Sequence, residues 1–286
     1  GSFVALRTAT RRAPRAGGRA LRGEGERGVA QDDPGSRMPD RGAVEHFSRF
    51  AGAYAAYRPS YPAGLFAWLG DTAPARALAW DCGAGSGQAT RGLAERFACV
   101  VATDASRAQI GSAVRAPGVS AWAATAERSA IRTGRVDLIA VAQALHWFDL
   151  PSFYDEARRV LRPGGVLAAW TYADARVEGP PAPVLDAFAD EVRPYWPPER
   201  GLVDSGYRGI AFPFAELAVP AFAMTADWTL DELVGYLGTW SAVGAYRTAR
   251  GADPLPGLRA MFAEPWGDPA ARRRVAWKLA VRAGRI

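Results

Sequence analysis

Between residues 77 and 171, short apolar runs alternate with amphipathic stretches. The runs within ARALAWD, CVVAT, VSAWAA, VDLIAVA and GVLAAWT predict strands at 77–81, 99–103, 119–124, 136–142 and 165–171. VDLIAVA is apolar at nearly every position, as a parallel strand covered on both faces must be. Between the runs, apolar residues recur three or four apart over about 87–97, 106–115 and 151–161, the period of a helix with one buried face. Strand–helix alternation with short connections predicts an α/β fold, a doubly wound and mostly parallel sheet. Ligands of such sheets sit at the carboxyl ends of the strands.

The flanks have other textures. Phe47, Phe50, Tyr54 and Tyr57 fall on one face of a helix that Pro59 ends, and a second short helix follows near 62–70. RPGG at 162–165 reads as a helix stop and turn. After residue 175 a Pro-rich entry, GPPAP, leads to a helix at about 183–193, then PYWPPER, then the aromatic-rich helical stretch LDELVGYLGTWSAVGAY. RRRVAWKLAVRAG supplies a last strand. Residues 175–270 therefore read as an α-helical cap inserted ahead of that strand, contributing to the substrate side of one domain spanning 42–286.

Charge changes the picture only at the front. The chain of 286 residues carries a net charge of +6, and residues 1–41 hold nine arginines against five acidic residues, leaving the remainder near balance. That tail has no hydrophobic period and reads as disordered, because it cannot bury enough apolar surface to offset its ordering entropy. It also lacks a signal peptide's apolar centre, and no run approaches a membrane span of about 18 residues, so a cytoplasmic enzyme without a membrane partner is expected. Basic and aromatic residues are not interleaved after residue 42, so nucleic acid is not an expected partner. Cys82 and Cys99, the only cysteines, exclude a disulfide framework and a thiolate metal cage. They fall at opposite ends of adjacent parallel strands, about 15 Å apart, and read as free thiols.

The candidate chemistry begins at Asp81, in DCGAGSGQAT. Gly83, Gly85 and Gly87 give the spacing GxGxG. A dinucleotide fingerprint needs GxGxxG, and Gln88 stands where its third glycine would be; a phosphate loop needs GxxxxGK[ST], and the only lysine is Lys278. What comes close to this main chain is thus not a phosphate, while Asp81 at the strand's end suits an ammonium group. Asp104, ending the second strand in ATDAS, could accept both hydroxyls of a ribose. Its plainer role is a helix N-cap, for which Ser106 serves equally well. Adenosine joined to a phosphate-free, ammonium-bearing group is S-adenosylmethionine. A nicotinamide-dependent dehydrogenase on a similar fold, or a non-catalytic S-adenosylmethionine-binding protein, remain the alternatives.

The ordered set DCGAGSG, TDAS, TAE (125–127), VDLIAVAQALHWF (136–148) and FYDEARRVLRPGGVLAAW (153–170) resembles the class I S-adenosylmethionine-dependent methyltransferases of the broad type 11 family. FSRFAGAYAAYRPSYP, AQALHWFD, YLGTWSAV and VAWKLAVRAGR are similar to the subgroup containing trans-aconitate methyltransferase. The resemblance covers about 43–284 and implies a seven-stranded, mostly parallel, Rossmann-like sheet. It also implies roles at matching positions. Gly83, Ala84, Gly85 and Gly87 would wrap the cofactor by main chain, with Asp81 near its amino group. Asp104 would hold the ribose with Ala105 beside the adenine, whose amino group would be read at Ala126 and Glu127. Gln143 would lie near the methyl group, and Tyr54 and Arg58 on a helix closing over the site.

Methyl transfer from a sulfonium is a direct in-line displacement, so positioning and exclusion of water suffice for much of the catalysis. A carboxylate acceptor needs no base, whereas a hydroxyl or amine does. His146, just past the fourth strand, is the candidate, against the plainer role of fixing its loop; His46 reads as a helix-face residue. Trp147, Tyr172 and Trp240 could wall an apolar pocket for a small molecule, though aromatics at helical spacing are more often core. The expectation is an enzyme methylating a small-molecule acceptor, with no metal.

Overall fold

The structure is a computed structural model and describes residues 59–112 and 115–286. Eight strands form one sheet: β1 (Leu78–Cys82), β2 (Cys99–Asp104), β3 (Val119–Ala123), β4 (Val136–Ala142), β5 (Leu161–Val177), β6 (Ala215–Glu216), β7 (Ala223–Trp228) and β8 (Arg273–Arg285). The order is β3-β2-β1-β4-β5-β8-β6, with β7 also paired to β8. The first five run parallel, and β8 joins antiparallel to β5, β6 and β7. The helices are α1 (Ala63–Thr72), α2 (Gln88–Ala94), α3 (Arg107–Gly111), α4 (Leu150–Val160), α5 (Ala182–Val192), α6 (Arg200–Asp204), α7 (Leu230–Leu237), α8 (Ser241–Arg250) and α9 (Leu255–Trp266).

Period-two alternation divides the strands between two cores. Ala79, Leu138, Ala140, Val166, Ala168 and Trp170 pack with α1, α2, α5, α7 and α9 on one face. Trp80, Cys82, Ile139, Val141, Leu167 and Ala169 pack with Phe153, Tyr154 and Ala157 of α4 and with Tyr207 on the other. Apolar residues on both faces are what made the strands visible as continuous runs. At the amino end of the sheet, the fully buried Asp137 accepts the N–H groups of Ala77 and Leu78, each at 2.8 Å, and pairs with Arg162 Nε at 2.8 Å. The strand starts are thereby tied together, leaving the carboxyl ends to the loops.

Three features depart from the expectation. RPGG lies inside β5: Val136 pairs with Leu161 but Leu138 with Val166, so the four residues bulge out between two paired stretches, with Gly164 at φ 74°. The segment 175–270 is helical but also contributes β6 and β7, the latter laid along the first half of β8. With the dipeptide β6 the sheet counts eight strands instead of seven. Cys82 is buried, Cys99 exposed, and both are free; the register Leu78↔Cys99 and Cys82↔Thr103 puts them at opposite ends of their strands. The tail 1–41 and the helix expected over 43–58, with His46, Tyr54 and Arg58, lie outside the described residues. Among the described residues, no helix is long and apolar enough to cross a membrane.

Candidate functional site

The loop from β1 to α2 turns on three glycines in the left-handed region: Gly83 at φ 73°, Gly85 at 54° and Gly87 at 85°. L side chains are disfavoured there. At Gly83 space forbids one as well, since a Cβ would stand 2.6 Å from Ala144 Cβ. The N–H groups of Gly83 and Ala84 both reach the carbonyl of Thr103, each at 2.9 Å, binding the end of β1 to the end of β2. Gln88 Nε2 donates to the carbonyl of Pro59, anchoring the loop to the segment that enters α1.

Asp81 is fully buried at the carboxyl end of β1. Thr90 Oγ1 donates to its Oδ2 at 2.5 Å, while Oδ1 is buried with no hydrogen-bond partner among the described residues. Burial pushes its pKa from 3.8 up to about 7, and the charge of Asp104 adds to the rise, against the Thr90 hydrogen bonds that oppose it. A buried carboxylate oxygen without a donor is costly and calls for a cationic or N–H-bearing neighbour.

Asp104 is half-buried at the end of β2. Its Oδ2 accepts Gly85 N–H at 2.9 Å and its Oδ1 accepts Ser106 N–H at 2.8 Å. The cap of α3 is Ser106, whose Oγ accepts Gln109 N–H at 3.3 Å. Asp104 is therefore not the helix cap but the clasp between the glycine loop and the next loop, with further lone pairs on each oxygen. Burial raises its pKa, opposed by the N–H groups of Ser106 and Gly85. Ala105 beside it is exposed, Ala126 is buried, and Glu127, half-buried, accepts Asp149 N–H at 3.0 Å.

Gln143, one residue past β4, is a non-glycine residue at φ 58°. Its N–H donates to the carbonyl of Trp170 at 2.9 Å, its Nε2 to that of Tyr172 at 3.2 Å, and Thr171 Oγ1 donates to its Oε1. Strain held by so many bonds at the carboxyl edge of a sheet is a mark of function. Three residues on, His146 Nδ1 lies 2.9 Å from Tyr207 Oη, and burial, with the charge of Arg200 added, lowers its pKa from 6.5 to about 4. Trp147, 38% exposed, stacks obliquely on His146 at 4.7 Å between ring centroids.

The loop, Asp81, Asp104, Gln143 and His146 thus gather at the carboxyl ends of β1, β2 and β4. Tyr172 and Trp240 do not join them as an open wall. The ring of Tyr172 packs 6.2 Å from Tyr61, and Trp240 lies among Phe188, Trp196 and Tyr236 at 5.6–6.2 Å, so both are buried in the core. Residues not singled out in the sequence are Thr90, Thr171 and Tyr207, whereas Ser106 takes the cap role expected of it. Thr90 stood in the quoted loop without a role; Tyr207 lies 61 residues from His146 and had no local signal.

The residues present fit S-adenosylmethionine. They offer a glycine arc for close approach, an orphaned carboxylate oxygen for an ammonium and a carboxylate one strand over, and the loop 82–88 carries no lysine or arginine for a phosphate. A profile of the methyltransferase domain matches residues 80–169. A protein of Dictyostelium discoideum assigned as a methyltransferase is 33% identical over 223 residues, 75% of this chain and 84% of its own length. An uncharacterized methyltransferase of Mycobacterium tuberculosis is 41% identical over 134 residues, 46% of this chain and 54% of its own. A solved structure from Anaeromyxobacter dehalogenans, described as a type II methyltransferase, superposes with TM-score 0.76 at 49% identity, covering 80% of this chain and 98% of that one. The chain belongs to the class I S-adenosylmethionine-dependent methyltransferases and is an enzyme with S-adenosylmethionine as its cofactor.

Proposed function

We propose that the enzyme methylates a small-molecule acceptor held between the carboxyl rim of β4 and β5 and the segment 175–270. The observation that carries this is the closure of the rim: Tyr207, supplied by that segment and fully buried, packs against His146 with ring centroids 5.8 Å apart. A rim so covered suits a compact acceptor better than a polymer. The cofactor supplies an electrophilic methyl group on its sulfonium. Asp81 takes the cofactor's ammonium on its free Oδ1, Gly83 to Gly87 lie along its methionine and ribose, and Asp104 receives the ribose hydroxyls while clasping the loop. Ala105, Ala126 and Glu127 border the adenine, Gln143 stands beside the methyl group, and Tyr54 and Arg58 close from the N-terminal side.

With the cofactor so aligned, the chain's part is to orient the acceptor and exclude water. A carboxylate, the acceptor suggested by the trans-aconitate-like motifs, needs only alignment. A hydroxyl or amine needs a group to receive its proton, and His146 is the one at the rim. The test is S-adenosylhomocysteine release over a panel of small carboxylic acids, phenols and amines. Turnover confined to proteins or nucleic acids would overturn the proposal.

A further inference from the structure

One face of β8 is moulded to carry a strap. Ala280, Arg282 and Gly284 stand at alternate positions of that strand and so share a face. The chain from Gly206 to Phe214 meets them in turn. Gly206 packs so close that a Cβ on it would stand 2.7 Å from Ala280 Cβ. Arg282 Nη1 donates to the carbonyls of Tyr207 at 2.8 Å and Ile210 at 2.6 Å, and its Cζ lies over the Phe212 ring, 4.7 Å from the centroid. A Cβ on Gly284 would stand 2.7 Å from Phe214 Cβ. From α4, Tyr154 Oη donates to the Ala211 carbonyl at 2.6 Å. The planar fork of Arg282 also reaches Glu216 Oε1 at 2.6 Å, but that acid is half exposed and the pair contributes little. The two carbonyl bonds do the holding.

The strap begins with two residues in the left-handed region, Gly206 at φ 63° and Tyr207 at φ 62°. The first follows from the helix before it. α6 ends at Asp204, and Gly206 takes the left-handed position just past its end, with its N–H on the Val203 carbonyl at 2.8 Å and that of Tyr207 on the Leu202 carbonyl at 2.9 Å. Such a stop asks a left-handed conformation of the glycine alone. Tyr207 is bulky and holds that conformation only where its surroundings impose it, which the bond from Arg282 to its carbonyl does. What the strain secures lies at the far end of the side chain. Tyr207 Oη is 2.9 Å from His146 Nδ1, a contact that stands whichever of the two brings the proton. We propose that Arg282 is a positioning residue for the reaction: by seating the turn from Tyr207 to Ile210 on β8, it fixes the His146 imidazole at the acceptor rim. That His146 meets the acceptor rests on the small-molecule reading of the rim; that Arg282 fixes His146 does not.

The test is ring-proton NMR of the full chain loaded with S-adenosylhomocysteine, from pH 8 to pH 5. The chain has two histidines, and His46→Gln assigns the signals. The wild type is expected to show a nuclear Overhauser contact between the rings of Tyr207 and His146. It should show no titration of His146 in this range, because burial lowers its pKa to about 4. Absence of the ring contact overturns the proposal whether or not any variant folds. Arg282→Lys keeps the charge but loses the fork, and Gly206→Ala lifts the strap off Ala280 with no change of charge. Each is expected to weaken the ring contact and bring the His146 midpoint above pH 5, with S-adenosylhomocysteine affinity within twofold of wild type. An unmoved His146 in both, or a loss of cofactor affinity alongside, overturns the proposal. Glu216→Gln leaves both carbonyl bonds and should leave His146 as in wild type; a shift there would place the hold in charge and overturn it too. For a hydroxyl or amine acceptor, Arg282→Lys should lower kcat at least tenfold, and an equal kcat would overturn the role in the reaction. The spectra need no acceptor, so a failure of the small-molecule reading would be seen separately, in the S-adenosylhomocysteine release panel.

Discussion

Asp81→Asn isolates the electrostatic cost on which cofactor recognition rests. In the unfolded chain Asp81 ionises near 3.8, and in the folded protein burial delays ionisation to about 7. Folding therefore takes up a proton over this window: the favourable contribution is complete below pH 3.8 and is lost as pH rises through 7. A shift of about three units at 1.36 kcal/mol each makes the loss about 4 kcal/mol at pH 8. Asparagine keeps an oxygen for Thr90 and removes the charge, but puts an unpaired amide where Oδ1 was, costing about 1–3 kcal/mol at every pH. Denaturant melts of both proteins without cofactor, from pH 4 to pH 8, should show the variant's stability relative to wild type rising by about 4 kcal/mol across the window. The difference matters because other groups give the wild type slopes of their own. Binding should move the opposite way. Losing a charge-assisted bond of about 1.5–3 kcal/mol weakens S-adenosylhomocysteine at pH 8 by roughly 10- to 150-fold. A stability difference flat with pH, or unaltered binding, would refute the reasoning.

Asp104→Ala removes the clasp on Gly85 and Ser106 together with the ribose acceptor, so the dissociation constant of S-adenosylhomocysteine, read by calorimetry, should rise at least tenfold, about 1.4 kcal/mol. Gly83→Ala places a Cβ at 2.6 Å from Ala144 on main chain at φ 73°, and the left-handed conformation alone costs about 1–2 kcal/mol; a melting temperature matching wild type would mean the loop relaxes freely. His146 has the opposite pH dependence to Asp81. Below pH 6.5 the unfolded chain binds a proton that the folded imidazole refuses until about pH 4, so wild-type stability falls on acidification by up to about 3 kcal/mol. His146→Gln should remove this acid loss in the same melts.

How far the sequence could be read depended on how many faces of an element are buried. β1 and β4 are covered on both sides, so their apolar runs could hardly be mistaken, and their register followed from parallel pairing. β7 buries only Met224 fully, with polar or small residues around it, and its pairing to β8 comes from a strand that is nearly 50 residues later in the chain. No local period marks such a strand, and it merges with the loops of a helical region. RPGG misleads for the converse reason. Its glycines do turn, but α4 has ended at Val160 before them and the turn is a bulge within a paired strand, because Leu161 has already entered the sheet.

The site divides along the same line. Main chain that must approach a ligand closely announces itself through glycine, and an acidic residue ending a strand is visible from its neighbours, so Gly83, Gly85, Asp81 and Asp104 were legible. Side-chain roles set by distant partners were not. Nothing near His146 in sequence tells that a tyrosine 61 residues later meets its Nδ1, and aromatic spacing is silent on which side of a helix faces the sheet. Trp240 shows the consequence. It begins α8 with the spacing a pocket wall would have, yet Phe188 of α5 and Tyr236 of α7 enclose it, so its area is spent on holding three helices together. A replacement such as Trp240→Ala should then act through the core, costing about 3–5 kcal/mol of stability. Cofactor affinity in the protein that remains folded should be untouched; a variant with wild-type melting but altered acceptor use would return Trp240 to the pocket.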